Sequence, residues 1–165
     1  MVILFYKLKN IELFSMEYKI NDTYNRKILI ELQKNARISY TELGKIVGLT
    51  GPAVKERVQK LEESGVIKGY QAKIDLEKIG YSLMAIIHFK MNPGSIQQFI
   101  EQLRTMPEII EVNRITGGDN MVIKVALSES SHLEKLINRF IEYGVPNTSI
   151  VLSTPIEDRI LEPKG

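Results

Sequence analysis

Between Ser39 and Lys60 the residue types and spacings suit contact with a polyanion. Ser39-Tyr-Thr-Glu42 has capping-box spacing, in which a hydroxyl and a carboxylate satisfy the first unpaired N–H groups of a helix. Leu43, Ile46 and Val47 follow on one face, and Gly48 ends the run. Thr50 then caps a longer helix with Pro52 in its first turn, where the missing N–H costs nothing. Val54, Val58 and Leu61 fall at i, i+4 and i+7 and form one buried stripe. The outward positions are then Thr50, Gly51, Ala53, Lys55, Arg57, Gln59 and Lys60, with Glu56 partly turned out. These are helix-turn-helix dimensions, and in that arrangement the second helix enters the major groove of DNA. Small residues at Thr50, Gly51 and Ala53 permit close approach, and a threonine hydroxyl or methyl can meet a base edge. Arg57 has the fork to take guanine bidentately, and Lys55 and Lys60 suit phosphates. Arg37, Ser39 and Tyr40, at the entry to the preceding helix, are placed to touch the phosphate backbone. The plainer alternative for the same residues is a solvated charged face on a small helical subdomain.

The remaining chemistry is sparse. The 165 residues include no cysteine, which excludes disulfides, thiolate metal sites and cysteine nucleophiles. Histidines occur only at positions 88 and 132, too few for a histidine-rich metal site. His88 sits within an apolar strand pattern and reads as a core or interface residue, and His132 as an exposed one. No catalytic residue, metal or cofactor is expected, and the chain does not read as an enzyme. Net charge is +2, but residues 21–70 carry nine Lys/Arg against six Asp/Glu, while residues 71–165 carry ten against twelve. A basic first third on a mildly acidic body suits a protein that turns one face to nucleic acid. No apolar run approaches the roughly 18 residues of a membrane span.

Residues 1–15, MVILFYKLKNIELFS, read as an N-terminal extension, with Met16 expected as the true start. Asn21 and Asp22 are good N-cap types for a first helix through Asn35, and residues 16–70 form the expected DNA-binding domain. After Gly65 the period shortens, and 66–70 and 71–75 read as extended pieces. Residues 71–82 serve as a linker. Leu83–Met91 reads as a strand, Ser95 caps a helix, and Ile109–Ile115 and Met121–Leu127 read as strands around a Gly117–Asn120 turn. Ser130 or Ser131 caps a second helix, Gly144 stops it, and Thr148–Ser153 is the last strand. The order β-α-β-β-α-β across 83–154 is the split βαβ, ferredoxin-like arrangement, with a tail at 155–165. The expected class is therefore α+β: a winged-helix-type helix-turn-helix followed by a ferredoxin-like domain. Both helices would lie on one sheet face. Ala85, Ile87, Phe89, Val112, Ile123 and Val125 are expected on the other, which a second copy would cover sheet to sheet.

Residues 26–70 resemble the Lrp/AsnC (feast/famine) transcriptional regulators. The match runs through Arg37-x-Ser39-x-x-Glu42-Leu43-Gly44 and Gly48-Leu49-Thr50. It continues in Ala53-Val54-x-x-Arg57-Val58-x-x-Leu61-Glu62-x-x-Gly65-Val66-Ile67-x-Gly69-Tyr70. The resemblance spans about residues 18–154. It implies a homo-oligomer (dimer, tetramer or octamer) in the cytoplasm and nucleoid, binding pseudo-palindromic double-stranded DNA. It also implies a ligand-binding and assembly domain of the RAM/AsnC type with an amino-acid effector. The family's usual Asp before Arg-Lys-Ile-Leu is Asn25 here. Its common Gly-Asp-x-Asp loop is Gly117-Gly118-Asp119-Asn120. That loop, with Thr148, is the expected effector site, a carboxylate holding the ammonium and backbone N–H groups the carboxylate. A tight hairpin turn is the alternative for the loop, and an effector-independent, DNA-wrapping architectural protein is the alternative for the whole.

Overall fold

The computed structural model describes residues 22–94 and 96–164. The expectations placed on residues 1–15, Met16, Asn21 and Ser95 lie outside the described residues. The chain divides into two compact units. One ends at Ala72 and takes in the segment from Ile156 onward; the other is Lys73–Pro155.

The first unit holds α1 (Thr23–Lys34), α2 (Tyr40–Val47) and α3 (Gly51–Glu63). Asp22 caps α1, accepting the Tyr24 N–H at 2.7 Å. The Ser39–Glu42 capping box forms in both directions. Thr50 accepts from the Ala53 N–H and opens α3 with Pro52 in its first turn. Gly48, at φ 81°, ends α2 in the left-handed conformation that glycine adopts without strain. Ile28, Leu43, Val47, Val54, Val58 and Leu61 form the core, none more than 3% exposed. Gly44 lets the turn fold back, because a Cβ there would lie 2.5 Å from the Leu49 carbonyl oxygen.

Residues 66–75 form no strand. A strand needs a hydrogen-bonded neighbour, and the Ile67 N–H goes instead to the Leu61 carbonyl at 3.0 Å. Val66 and Ile67 pack against the helical core. Of the segment 155–165, expected as a tail, residues 161–163 are tied to the first unit. The Gln33 amide takes both backbone groups of Leu161, donating to its carbonyl at 2.9 Å and accepting its N–H at 3.0 Å. Arg26 donates twice to the Pro163 carbonyl, at 3.1 and 2.5 Å.

In the second unit a 3-10 turn, Glu77–Ile79, occupies the connector and is closed by Gly80 at φ 97°. Then follow β1 (Leu83–Met91), α4 (Ile96–Leu103), β2 (Ile109–Arg114), β3 (Met121–Leu127), α5 (Ser130–Phe140) and β4 (Gly144–Ile150). The sheet order is β2-β3-β1-β4, antiparallel throughout, as a split βαβ requires. Ala85, Ile87, Phe89 and Met91 alternate with Met121, Ile123, Val125 and Leu127 beneath Phe99, Leu103, Leu136 and Phe140. The rings interlock: Phe89 stacks on Phe99 at 4.8 Å between centroids, and Phe140 meets Phe99 edge-on at 5.1 Å.

The structure corrects three expectations. The apolar set Ala85, Ile87, Phe89, Ile123 and Val125 belongs to the helix-covered core, with Val112 packed against it, and not to the open face. The open face carries Met84, Ile86, His88 and Lys90 of β1 opposite Ala126, Lys124 and Val122 of β3. β1 is wholly apolar at Leu83, Ala85, Ile87, Phe89 and Met91 but carries His88 and Lys90 at the other parity, and the helices cover the wholly apolar side. β4 starts at Gly144, four residues before the expected Thr148, so this glycine opens a strand rather than merely stopping a helix. A Cβ at Gly144 would collide with the Lys90 carbonyl oxygen, and Pro146 is tolerated because β4 is an edge strand. Finally, Glu129 is the N-cap residue of α5, with no side-chain cap bond; the Ser131 hydroxyl donates to Glu129 instead.

Candidate nucleic-acid interface

The surface built by α2, its turn and α3 is set by what lies beneath it. Val54, Val58 and Leu61 are turned fully inward, which rotates Thr50, Lys55, Gln59 and Lys60 to solvent and leaves Gly51 and Ala53 half-buried. Arg37 and Tyr40 are exposed at the start of α2. The helix start is low in profile, and Gly51 lies against Thr41, where a Cβ would sit 3.3 Å from its hydroxyl oxygen.

The polar side chains differ in what they have left to offer. Lys55 forms no ion pair among the described residues. Lys60 is held by Glu56 at 2.6 Å, an exposed i,i+4 pair of little net worth. That contact, first through its hydrogen bond and then its charge, holds the Glu56 carboxyl below the usual range. Gln59 donates to Glu63 at 2.9 Å. The Ser39 hydroxyl is occupied: it donates to Glu42 at 2.8 Å and accepts that residue's N–H at 3.2 Å. The bonds from the Ser39 hydroxyl and backbone N–H lower the Glu42 carboxyl, so a DNA contact by Ser39 would compete with its cap.

Arg57 departs from its expected placement. Its guanidinium turns toward α1, pairing with Asp22 at 2.5 Å and donating to Asn25 at 3.0 Å. It also lies 5.3 Å from the centre of the Tyr24 ring. Arg57 therefore sits on the inner flank of α3 rather than its outward face. Burial pushes the Asp22 carboxyl up, but the Arg57 bond, the Tyr24 N–H and the arginine's charge together outweigh it and leave it lowered. Sequence reasoning missed this cluster and the role of Gly44. The Asp22–Arg57 separation of 35 residues has no local signature.

The second unit places its loop residues apart. Gly117 takes φ 126°, and the Asn120 side chain accepts the Met91 N–H at 2.9 Å. The Asn120 backbone N–H reaches the Phe89 carbonyl at 3.0 Å, so this residue splices the loop onto β1. Asp119 lies 3.6 Å from the ring nitrogen Nδ1 of His88, a half-exposed residue of the open face. Gly118 is exposed. Thr148 pairs in register with Ile87, on the helix side of the sheet, so it does not join Asp119. Its strand neighbour Asn147, paired with His88, shares the open face. His132 is exposed, 2.9 Å from the Ser128 hydroxyl. No cluster of metal-ligating side chains occurs among the described residues, and no helix there is long and apolar enough to cross a membrane.

A helix-turn-helix followed by a four-stranded βαββαβ unit defines a two-domain DNA-binding regulator. Residues 21–68 match winged helix-turn-helix DNA-binding domains, and residues 84–161 match the Lrp/AsnC ligand binding domain. The chain is 40% identical over 133 residues to YezC of Bacillus subtilis strain 168, an uncharacterized HTH-type transcriptional regulator, covering 81% of this chain and 94% of that one. It is 35% identical over 123 residues to LrpB of the same organism, covering 74% and 83%. The solved structure of B. subtilis LrpC superposes with TM-score 0.79 at 30% identity, covering 84% of this chain and 98% of that one. A Neisseria meningitidis transcriptional regulator solved with L-Met shares the fold, with TM-score 0.80 at 22% identity over 85% and 95% of the two chains. The chain belongs to the Lrp/AsnC family of DNA-binding transcriptional regulators, a non-enzymatic family.

Proposed function

We propose that the chain regulates transcription in the cytoplasm and nucleoid as a homo-oligomer, laying α3 of each copy into successive major grooves of a pseudo-palindromic site. One observation carries this reading: α3 has a fully buried underside and a low start at Thr50–Ala53, with Thr50 and Pro52 exposed and Gly51 and Ala53 half-buried, followed by exposed Lys55. Half-sites would lie about one helical turn apart, or a multiple of it. Assembly is supported by the apolar side chains Met84, Ile86 and Val122 on the open sheet face, interleaved with Lys90 and Lys124. No cofactor is invoked. An amino acid is the proposed effector, received near Gly117–Asp119, and the L-Met complex of the Neisseria regulator supports a fold of this kind carrying such a ligand. Selection of bound sequences from a random DNA pool, with and without a mixture of amino acids, tests these points together. An enriched two-fold motif whose recovery changes with amino acids is the expected result. Recovery of unenriched DNA would overturn the reading.

A second reading is favoured by Asn120. The family's carboxylate is absent there, and the amide is engaged with Met91. In this reading the protein wraps DNA without an effector and with little sequence preference. Equal affinity for selected and random DNA at one salt concentration would establish it over the first.

A further inference from the structure

Arg57 is the one long cation of α3 whose head group is folded into its own unit. Three groups from the first turn of α1 surround it. The nitrogen Nη1 donates both to the Asp22 carboxylate at 2.5 Å and to the Asn25 amide oxygen at 3.0 Å. The guanidinium plane stands over the Tyr24 ring. Asn25 is the buried polar residue of the described chain, 8% exposed. Asp22 serves two elements at once. Its Oδ1 caps α1 through the Tyr24 N–H, and its Oδ2 holds Arg57 on α3. The start of one helix and the rotation of another are thus tied through a single carboxylate.

From this geometry we propose that Arg57 is a positioning residue for DNA recognition. It locks the rotation of α3 against α1, and so decides how Thr50, Ala53, Lys55 and Gln59 meet the groove, without touching DNA itself. A helix with side chains is roughly 10–12 Å across, so a 20° rotation displaces its outer groups by ~2 Å, enough to break a base hydrogen bond. The apolar stripe of Val54, Val58 and Leu61 sets which face of α3 is buried, but contacts without direction do not by themselves hold the rotation to within such an angle. A planar fork held by a carboxylate, an amide and a ring can, and a lysine ammonium offers no such plane. For Nη1 of Arg57 to reach a base, both of its bonds to α1 must break, leaving Asp22 without its cation.

The inference rests on α3 being the reading helix, so the test includes a control for that. Full-length Arg57→Ala, Arg57→Lys, Asp22→Asn and the Asp22→Asn/Arg57→Ala double variant are titrated against the selected DNA site and each of its single-base substitutions, across salt. Melting is followed by circular dichroism, and Lys55→Ala is the control. Arg57→Ala and Asp22→Asn should each lower the ratio of specific to random affinity by roughly tenfold, spread over all base positions, at temperatures where both are folded. The salt slope should not change, the double variant should be no worse than either single one, and Arg57→Lys should rescue only in part. A loss confined to one base pair in Arg57→Ala, with Asp22→Asn unaffected, would make Arg57 a base reader and overturn the proposal. A slope reduced by about 1 would make it a phosphate contact and overturn the proposal equally. Lower melting with an unchanged specificity ratio would reduce the cluster to scaffolding. If Arg57→Ala does not fold, Asp22→Asn, which preserves volume, decides alone. Should Lys55→Ala also leave affinity untouched, the fault lies with α3 as the reading helix; should it alone reduce affinity, only the positioning role fails.

Discussion

Single side chains on α3 divide by what already holds them. Lys55 is exposed with no ion pair among the described residues, so a phosphate contact by its charge would break no internal bond. Lys55→Ala should therefore weaken binding evenly across sequences and reduce the salt slope of log K by about 1. Titrations between low and moderate salt measure this. Asp22 predicts an acid limit. The folded state holds its carboxyl below the usual value of 3.8, with Arg57 and Tyr24 as the groups facing it. A lowered carboxyl contributes stability that is complete above the unfolded value and is lost as pH falls through the folded one. The window thus lies below about pH 3.8, and pH 7 is unaffected. Asp22 is about one-third exposed, so solvent screens the effect. In acid unfolding curves, Asp22→Asn should be less stable than the parent in the neutral range, and its limb below that pH should be flatter, because the contribution that the parent loses there is already absent.

Elements depend on two kinds of closure. The turn between α2 and α3 closes because Gly44 has no side chain. Gly44→Val would push against the Leu49 carbonyl, and overpacking of this sort costs about 1–3 kcal/mol. The expected result in thermal melts is a lower midpoint for the first unit with the ferredoxin-like unit unchanged. The other closure is the return of the chain end to α1. Leu161 and Pro163 line a groove of about 500 Å³ together with Leu29, Leu32, Ile67 and Tyr70. Truncation before Leu161 removes four hydrogen bonds between the segment and Gln33 or Arg26, each worth about 0.5–1.5 kcal/mol net when formed. Hydrogen exchange should then show faster opening of α1 and no change in β1. Unaltered protection of α1 would mean that the segment contributes nothing to the unit.

At the scale of the whole molecule, a basic reading unit is joined to a unit whose sheet has one covered and one open face. The covered face is filled by phenylalanine rings and needs no partner. The open face mixes Met84, Ile86 and Val122 with Lys90, Lys124 and His88, a composition suited to a partner face with acidic and apolar groups, such as the same strands with Glu111. Ile86→Glu should therefore yield a smaller species in light scattering, with the circular dichroism spectrum of the folded chain retained. A variant of unchanged size would place assembly elsewhere. Because DNA affinity in this reading comes from two or more copies of α3 acting together, the same variant should lose binding to full sites more than to half-sites.

Much of this molecule is written locally. Ser39 to Glu42, Gly48, Thr50 with Pro52, and the Val54–Val58–Leu61 stripe specify the helix-turn-helix within about one turn of each residue, because caps and helical periods act over three or four positions. The β-α-β-β-α-β order likewise follows from changes of period. Tertiary structure decided everything that joins distant residues. Asp22 and Arg57 are 35 positions apart, and only the packing of α3 on α1 turns a candidate base reader inward. Gln33 and Leu161 are separated by 128 positions, and the chain end that reads as a tail becomes part of the first unit. Gly144 and Pro146 carry turn chemistry, yet the edge of a sheet accepts both in a strand. β1 carries Met84 and Ile86 beside His88 and Lys90 at one parity and only apolar residues at the other, and Phe99 and Phe140 pack on the wholly apolar side. The sequence by itself determined which elements exist and which helix is the candidate reader of DNA. Tertiary structure determined which side chains on that helix are still free to reach outward. The physical reason is range: local hydrogen bonds and hydrophobic periods are encoded in neighbours, whereas an ion pair or a face assignment exists only after the chain has folded.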